Sequence, residues 1–86
     1  SKPQLQVFND CQQEYFPFKT FCNYKFPNGK GFIYLDVAIP ELFLNFEYDG
    51  KFFHSLENKH YDPIKEQERD NYLISQGWEV IRIKED

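Results

Sequence analysis

Residues 32–49, with the sequence FIYLDVAIPELFLNFEYD, predict a β-hairpin. Apolar and aromatic residues dominate 32–38 and 42–49, which is a composition typical of strands. Pro40 and Glu41 mark a turn between the two segments, and Gly50 ends the second one. Because only a tight connection separates the segments, we expect them to pair with each other.

The flanking sequence predicts four further elements. They are a helix over 4–15, a strand over 20–26, a helix over 63–76 and a strand over 78–83. Asp62 and Gly77 are suitable caps for the second helix. Since this helix crosses between two strands, at least one pairing in the sheet can be parallel. The sequence therefore predicts an α/β fold, in which helices flank a central mixed sheet of about four strands.

Composition fits one small folded domain spanning residues 1–86. The chain is 41% hydrophobic and 20% aromatic, which argues against disorder. It begins with serine and contains no methionine, so we expect it to be a fragment of a longer protein. The net charge of -4 excludes a polybasic protein that binds nucleic acid over its whole surface. It does not exclude a nuclease, whose site requires carboxylates.

The sequence shows neither a membrane span nor a secretory signal. No apolar run approaches the ~18 residues that a membrane-spanning helix needs. No charged segment followed by an apolar one opens the chain. We therefore expect an intracellular protein with no membrane partner.

The two cysteines, Cys11 and Cys22, are too few for a disulfide-rich secreted scaffold. We interpret them as small buried residues of a reduced protein. Two alternatives remain open, a single disulfide and a zinc site formed with His54 and His60. Ten residues separate the cysteines, whereas structural zinc sites usually have two to four between paired ligands.

Three acidic residues interrupt the predicted hairpin. Asp36 lies in the first strand, and Glu47 and Asp49 lie in the second. Residues two apart on a strand share a face, so Glu47 and Asp49 point one way while Phe46 and Tyr48 point the other. Clustered carboxylates are costly unless a positive charge lies between them, and Mg²⁺ is a suitable cation. The alternative is a solvent-exposed acidic face.

The register of the hairpin decides whether these acids meet. Ile33, Leu35 and Val37 are expected on one apolar face of the first strand. A turn centred on residues 38–42 places position 36 near position 44 rather than near Glu47. Strand twist or a longer loop would bring Asp36 closer to Glu47.

Four segments together resemble the PD-(D/E)XK restriction-endonuclease-like nucleases. Within that family they are most similar to the very-short-patch mismatch-repair endonucleases and their phage and homing-endonuclease relatives. The segments are LDVAIPE at 35–41, FEYDGKFFH at 46–54, ERDNYL at 68–73 and GWEVIRI at 77–83. The resemblance covers about residues 14–83, and its ordered set of motifs is more specific than any single one.

The resemblance implies roles for five residues. Asp36 corresponds to the first metal-binding aspartate, and Glu47 to the acid of the second motif. Asp49 occupies the position where the family most often has lysine, which is a departure from the pattern. His54 corresponds to a histidine near the scissile phosphate, and Glu14 to an acid that approaches the same site from the first helix.

The implied activity is metal-dependent hydrolysis or nicking of a DNA phosphodiester. Asp36, Glu47 and the backbone carbonyl of Tyr48 would hold Mg²⁺, with Mn²⁺ as an alternative metal. His54 or Asp49 would orient water or transfer a proton. Such a domain would act in a repair, restriction or homing endonuclease, in the cytoplasm or, if phage-encoded, in the host cytoplasm.

A second interpretation is a non-catalytic DNA-binding or protein-interaction module that retains the nuclease fold. The missing motif lysine is its main support.

Basic residues near the predicted site are candidates for DNA contacts. They are Lys25, Lys30, Lys51 and Lys59, interleaved with aromatic residues that stack on bases in other proteins. A solvated basic face is the alternative. If the chain is a fragment, we expect that further domains of its parent protein would supply additional affinity for DNA.

The second predicted helix carries Glu66, Arg69 and Asp70 at spacings that allow side-chain pairing on one helix face. We interpret them as structural ion pairs. Trp78 and Arg82 are expected at core and strand-end positions of the last strand.

Overall fold

The structure, a computed structural model, describes residues 2–50 and 59–84. Its helices are α1 (Lys2–Glu14) and α2 (Pro63–Ser75), and its strands are β1 (Phe21–Pro27), β2 (Phe32–Ile39), β3 (Leu44–Asp49) and β4 (Glu79–Lys84). A 3₁₀-helix (Pro40–Leu42) connects β2 to β3. Each predicted element is present, with its ends shifted by at most two residues.

The four strands form one mixed sheet in the order β1-β2-β3-β4. The β1–β2 and β2–β3 pairs are antiparallel, whereas β3 and β4 are parallel. The predicted α/β class, the mixed sheet of four strands and the parallel pairing across α2 are therefore confirmed. Among the described residues, neither helix is long and apolar enough to cross a membrane.

Helix α1 covers one face of the sheet. Its buried Cys11 packs against Val37 and Ile39 of β2, together with Val7 and Phe8. These α1 residues recur at the three- and four-residue spacing that keeps one face of a helix toward the core. Burial on this face therefore fixes α1 across β2 and β3.

Helix α2 covers the opposite face. Leu73 is fully buried against Leu35, Ala38 and Trp78, and burying one leucine of this kind contributes roughly 1.5–3 kcal/mol. The helix begins at Asp62, whose side chain accepts hydrogen bonds from two backbone amides of the first turn. The predicted N-cap and the predicted core position of Trp78 are both confirmed.

The connection between β2 and β3 sets their register. Val37 pairs with Phe46, so Asp36 lies next to Glu47, one residue beyond the last ladder pair. The prediction that position 36 lies near position 44 is wrong. The 3₁₀-helix and Phe43, which has a left-handed φ of 54°, lengthen the turn and move its centre toward the C-terminus.

The alternation of β2 breaks beside Asp36. Leu35 and Ala38 pack on the α2 face, whereas Val37 packs on the α1 face. The prediction that Leu35 and Val37 share a face is therefore wrong. On β1, the residue at the level of Asp36 is Asn23, which has a left-handed φ of 49°. Both strands thus depart from regular geometry at the level of Asp36.

The cysteines lie in different environments. Cys11 is buried and Cys22 is exposed, and neither forms a disulfide. The disulfide alternative is therefore wrong, and the interpretation as small buried residues holds for Cys11 alone.

Candidate active site

Asp36 and Glu47 meet where β2 and β3 stop pairing. The ladder ends at Val37 and Phe46. Beyond it, the Asp36 amide donates a hydrogen bond to Oε2 of Glu47 at 3.0 Å, and the Tyr48 amide donates to Oδ2 of Asp36 at 3.2 Å. Two carboxylates thus take the place of backbone carbonyls as acceptors, which keeps these half-buried amides satisfied.

The start of α1 supports Asp36 from the other side. The side-chain amide of Gln4 donates to the Asp36 carbonyl at 3.2 Å and to Oδ1 of Asn23 at the same distance. Gln4 therefore ties α1 to both irregular strands at the level of Asp36. The sequence did not predict these contacts, because a glutamine in the first turn of a helix is usually exposed to solvent.

Arg69 of α2 bridges the diverging strands. Its Nη2 atom donates to the Tyr34 carbonyl of β2 at 2.7 Å and lies 3.3 Å from Oε1 of Glu47. The side chain is 24% exposed, so one guanidinium group both reaches solvent and contacts the site. The sequence predicted an ion pair for Arg69 but not Glu47 as its partner.

The electrostatic environment of Glu47 disfavours its charged form. The residue is only 8% exposed. Burial raises the pKa of the Glu47 carboxyl, and the neighbouring charge of Asp36 raises it further, while Arg69 and the Asp36 amide act in the opposite direction. A cation that bound between Asp36 and Glu47 would relieve this cost.

Asp49 lies on the same face of β3 as Glu47, as predicted, but it pairs with Arg82 rather than with Arg69. The two arginines are linked through Asp70, since Nη1 of Arg69 lies 3.4 Å from Oδ1 of Asp70. Nη1 of Arg82 lies 2.7 Å from Oδ1 of Asp49 and 3.0 Å from Oε1 of Glu66. The same guanidinium donates to both oxygens of Asp70 at 2.8 and 2.9 Å. Arg82 therefore connects the buried acid of β3 to two acids of α2.

The described site carries more negative than positive charge. Two guanidinium groups, those of Arg69 and Arg82, lie among five carboxylates. These carboxylates belong to Asp36, Glu47, Asp49, Glu66 and Asp70. This surplus favours the binding of a divalent cation.

The donor set fits Mg²⁺. This ion typically uses one or two carboxylates and keeps water and phosphate oxygens as its other ligands. Asp36 and Glu47 supply two carboxylates, and no described residue donates a hydrogen bond to Oδ1 of Asp36. Within residues 2–50 and 59–84, no group of three or more His, Cys, Asp or Glu side chains is arranged to hold a metal.

The other predicted site residues are not all brought together. Glu14 is exposed at the last residue of α1. Among the described residues, no hydrogen bond or ion pair joins Glu14 to Asp36 or Glu47, so the predicted role of Glu14 stays a prediction. His54 lies outside the described residues, so its predicted role and the zinc alternative that includes it stay predictions.

The predicted DNA-binding lysines occupy exposed positions. Lys25 lies with its Nζ atom 4.0 Å from the centre of the Phe32 ring, and Lys30 lies in the β1–β2 turn. Lys59 is exposed ahead of α2. Lys51 lies outside the described residues.

No protein-family model, curated protein or solved structure matches this chain.

Proposed function

We propose that this domain is a Mg²⁺-dependent DNA endonuclease with a restriction-endonuclease-like core. It would hydrolyse or nick a phosphodiester as the intracellular catalytic domain of a repair, restriction or homing endonuclease. The observation that carries the proposal is the hydrogen-bond exchange between Asp36 and Glu47, which holds two carboxylates together where two strands diverge.

The geometry of Tyr48 supports a third ligand. Its amide faces β2 and donates to Asp36. The N–H and C=O of one strand residue point to the same neighbouring strand, so the Tyr48 carbonyl faces the side on which Asp36 lies. Asp36, Glu47 and this carbonyl would then hold Mg²⁺ from one side and leave its other positions for water and phosphate.

Each residue of the candidate site would have its own role in the reaction. Bound Mg²⁺ would stabilise negative charge on the phosphate and lower the pKa of water. Asp36 and Glu47 would hold the cation, and Arg69 would position the Glu47 carboxylate through its contact at Oε1. His54 or Asp49 would orient the attacking water or protonate the leaving oxygen.

A plasmid-nicking assay tests the proposal. Wild-type protein is incubated with supercoiled DNA in Mg²⁺, in Mn²⁺ and in chelator, and we expect nicking with either metal alone. Asp36→Asn keeps an oxygen that can accept the Tyr48 hydrogen bond but removes the charge, so nicking should fall about 10²-fold or more. Asp10→Asn is the matched control, because Asp10 is an exposed acid of α1 that accepts a hydrogen bond from Gln6 and lies outside the candidate site. Metal-dependent nicking that is equal in Asp36→Asn and Asp10→Asn would refute the proposal.

The second candidate function is a non-catalytic DNA-binding or protein-interaction module. One observation favours it. Arg69 and Arg82 contact Glu47 and Asp49 directly, so arginines already offset part of the acidic charge that a metal would neutralise. Failure of the wild-type protein to nick DNA with either metal would favour this candidate.

A further inference from the structure

A cleft of about 560 Å³ lies between the β1–β2 turn and α2, and Arg69 is one of its lining residues. We call it the α2–turn cleft. Its charged and polar lining residues are Asn28, Lys30, Lys65, Glu68, Arg69 and Tyr72. It was not singled out from the sequence, because its two walls are separated by more than thirty residues along the chain.

The charge of the α2–turn cleft is opposite to that of the chain. Lys30, Lys65 and Arg69 contribute three positive charges, and Glu68 is the one acid that lines the cleft. The chain as a whole has a net charge of -4. A local positive concavity on an acidic protein attracts a polyanion to one place rather than to the whole surface.

Both walls of the cleft are held in place. Oδ1 of Asn28 accepts hydrogen bonds from the Lys30 and Gly31 amides at 3.1 and 2.8 Å, which orders the turn that carries Lys30. The Tyr72 hydroxyl donates to the Pro27 carbonyl at 3.4 Å and connects α2 to the same turn. The cations are therefore presented by ordered backbone, which lowers the entropy cost of binding.

The cleft leads to the candidate active site. Lys65 and Arg69 are four residues apart on α2, so they lie on one helix face with ~6 Å between them along the axis. This distance is comparable to the separation of adjacent phosphates on one DNA strand. Arg69 also contacts Glu47 at 3.3 Å, so its guanidinium joins the cleft to the acidic pair.

We propose that the α2–turn cleft binds the phosphodiester backbone of DNA beside the bond that is cut. Lys65 and Arg69 contact successive phosphates, and Lys30 contacts the same strand from the β1–β2 turn. Arg69 marks the point where the strand reaches Asp36 and Glu47. This inference rests on the proposed nuclease function for the direction of the strand, but the binding itself requires no metal. The sequence had already indicated Lys30 as a DNA contact, whereas Lys65 and Arg69 are new candidates.

Metal-free binding experiments test the cleft separately from catalysis. The anisotropy of a short fluorescein-labelled DNA duplex is measured with the protein in chelator, between about 50 and 200 mM salt. Lys30→Gln and Lys65→Gln are each compared with the wild type. Lys19→Gln is the matched control, because Lys19 is exposed and lies outside the cleft. All three lysines are exposed, so the variants should keep the wild-type fold, which circular dichroism checks.

We expect each cleft variant to bind roughly 5–10-fold more weakly at 0.1 M salt, and the slope of log affinity against log salt to fall by about 0.9. The Lys19→Gln variant should retain the wild-type affinity and slope. The cleft proposal is overturned if the cleft variants match Lys19→Gln, or if the wild type does not bind the duplex. A wild type that binds through the cleft but never nicks DNA would refute the nuclease proposal alone.

Discussion

Asp36 and Glu47 hold each other across the gap between β2 and β3, since the Asp36 amide donates to Oε2 of Glu47 at 3.0 Å. The carboxylate of Asp36 in turn accepts from Tyr48, the residue after Glu47. Each acid is thus fixed by the backbone of the strand that carries the other. Such mutual fixation keeps two like charges close together without a metal, and it brings the donor set of the candidate site into position before a cation binds.

This arrangement predicts that divalent cations stabilise the folded protein. Mg²⁺ or Mn²⁺ at ~10 times its Kd should add about 1.4 kcal/mol to the free energy of unfolding, because a ligand that binds only the folded state shifts the equilibrium by mass action. For a domain of this size the change corresponds to a Tm increase of several degrees. Thermal unfolding in chelator and in metal measures it.

The control for this effect is a pair of variants. Asp36→Asn should lose most of the metal-dependent increase in Tm, whereas Asp10→Asn should retain it. If Mg²⁺ and Mn²⁺ leave the wild-type Tm unchanged, the Asp36–Glu47 pair does not hold a divalent cation.

A second prediction concerns Arg82, which connects Asp49 to the two acids of α2. Arg82→Gln should destabilise the protein by about 3–5 kcal/mol, because removing one partner of a largely buried ion pair leaves the other charge uncompensated. The Asp49 side chain is 8% exposed and that of Arg82 is 19% exposed, so solvent screens the pair only weakly. Urea unfolding at neutral pH in chelator measures the loss, and Arg82→Lys gives a milder variant that keeps the charge.

The double variant isolates the pair. Asp49→Asn alone should also destabilise the protein, since it removes an interaction with Arg82. Asp49→Asn combined with Arg82→Gln should cost less than the sum of the single changes, with a coupling of about 0.5–3 kcal/mol. Strict additivity would show that Asp49 and Arg82 do not stabilise each other.

The local features of this fold could be predicted from its sequence. The two strands on either side of the Pro40 turn, the N-cap at Asp62 and the core position of Trp78 depend on residues close together in the chain, and all three are observed. The register of β2 against β3 could not be predicted, because it depends on the left-handed conformation of Phe43. Non-glycine residues rarely adopt that conformation, so the sequence gives no warning of it.

The candidate site could also be predicted only in part, because some of its features depend on neighbouring residues in the chain and others on contacts between distant elements. The shared face of Glu47 and Asp49 follows from the two-residue period of a strand, and it is observed. The partners of these acids, Arg69 and Arg82, depend on how α2 docks against the sheet. Spacing within α2 indicates which of its residues share a face, but it does not indicate which strand residues they meet.

The two cysteines should differ in reactivity. Burial raises the pKa of the Cys11 thiol to about 11, and the charges of Glu14 and Asp10 contribute to the increase. Cys22 is exposed on β1. A thiol reagent such as DTNB should therefore modify one thiol of the native protein quickly and the second only after unfolding, because the thiolate is the reactive form and Cys11 is shielded. If both thiols were unreactive in the native protein and became reactive when a chelator was added, the result would instead support the zinc alternative.

The last prediction concerns the pH dependence of stability and tests the environment of Glu47. Burial, followed by the charge of Asp36, raises the pKa of this carboxyl above its ordinary value of 4.5, although Arg69 opposes the increase. The folded protein therefore binds the proton of Glu47 more tightly than the unfolded chain does. In metal-free buffer this contribution favours the folded state at low pH, and it is lost as pH rises from the unfolded pKa through the folded one. Each unit of difference between the two pKa values corresponds to about 1.4 kcal/mol.

Glu47→Gln removes this titration and should change the slope of stability against pH. Urea unfolding between pH 4 and pH 7 compares the variant with the wild type, and the difference in unfolding free energy should move in favour of the variant as pH rises. The slope is decisive because it reports the net pKa shift of Glu47, in which the opposing Arg69 ion pair is already included, since that pair forms only when the carboxyl is ionised. Glu41→Gln, a change of the same chemistry at an exposed position, is the control. Saturating Mg²⁺ should reverse the wild-type trend, since a bound cation requires the Glu47 carboxylate in its charged form. If the slope of Glu47→Gln equals that of Glu41→Gln in chelator, Glu47 does not carry the burial cost that a cation at this site would relieve.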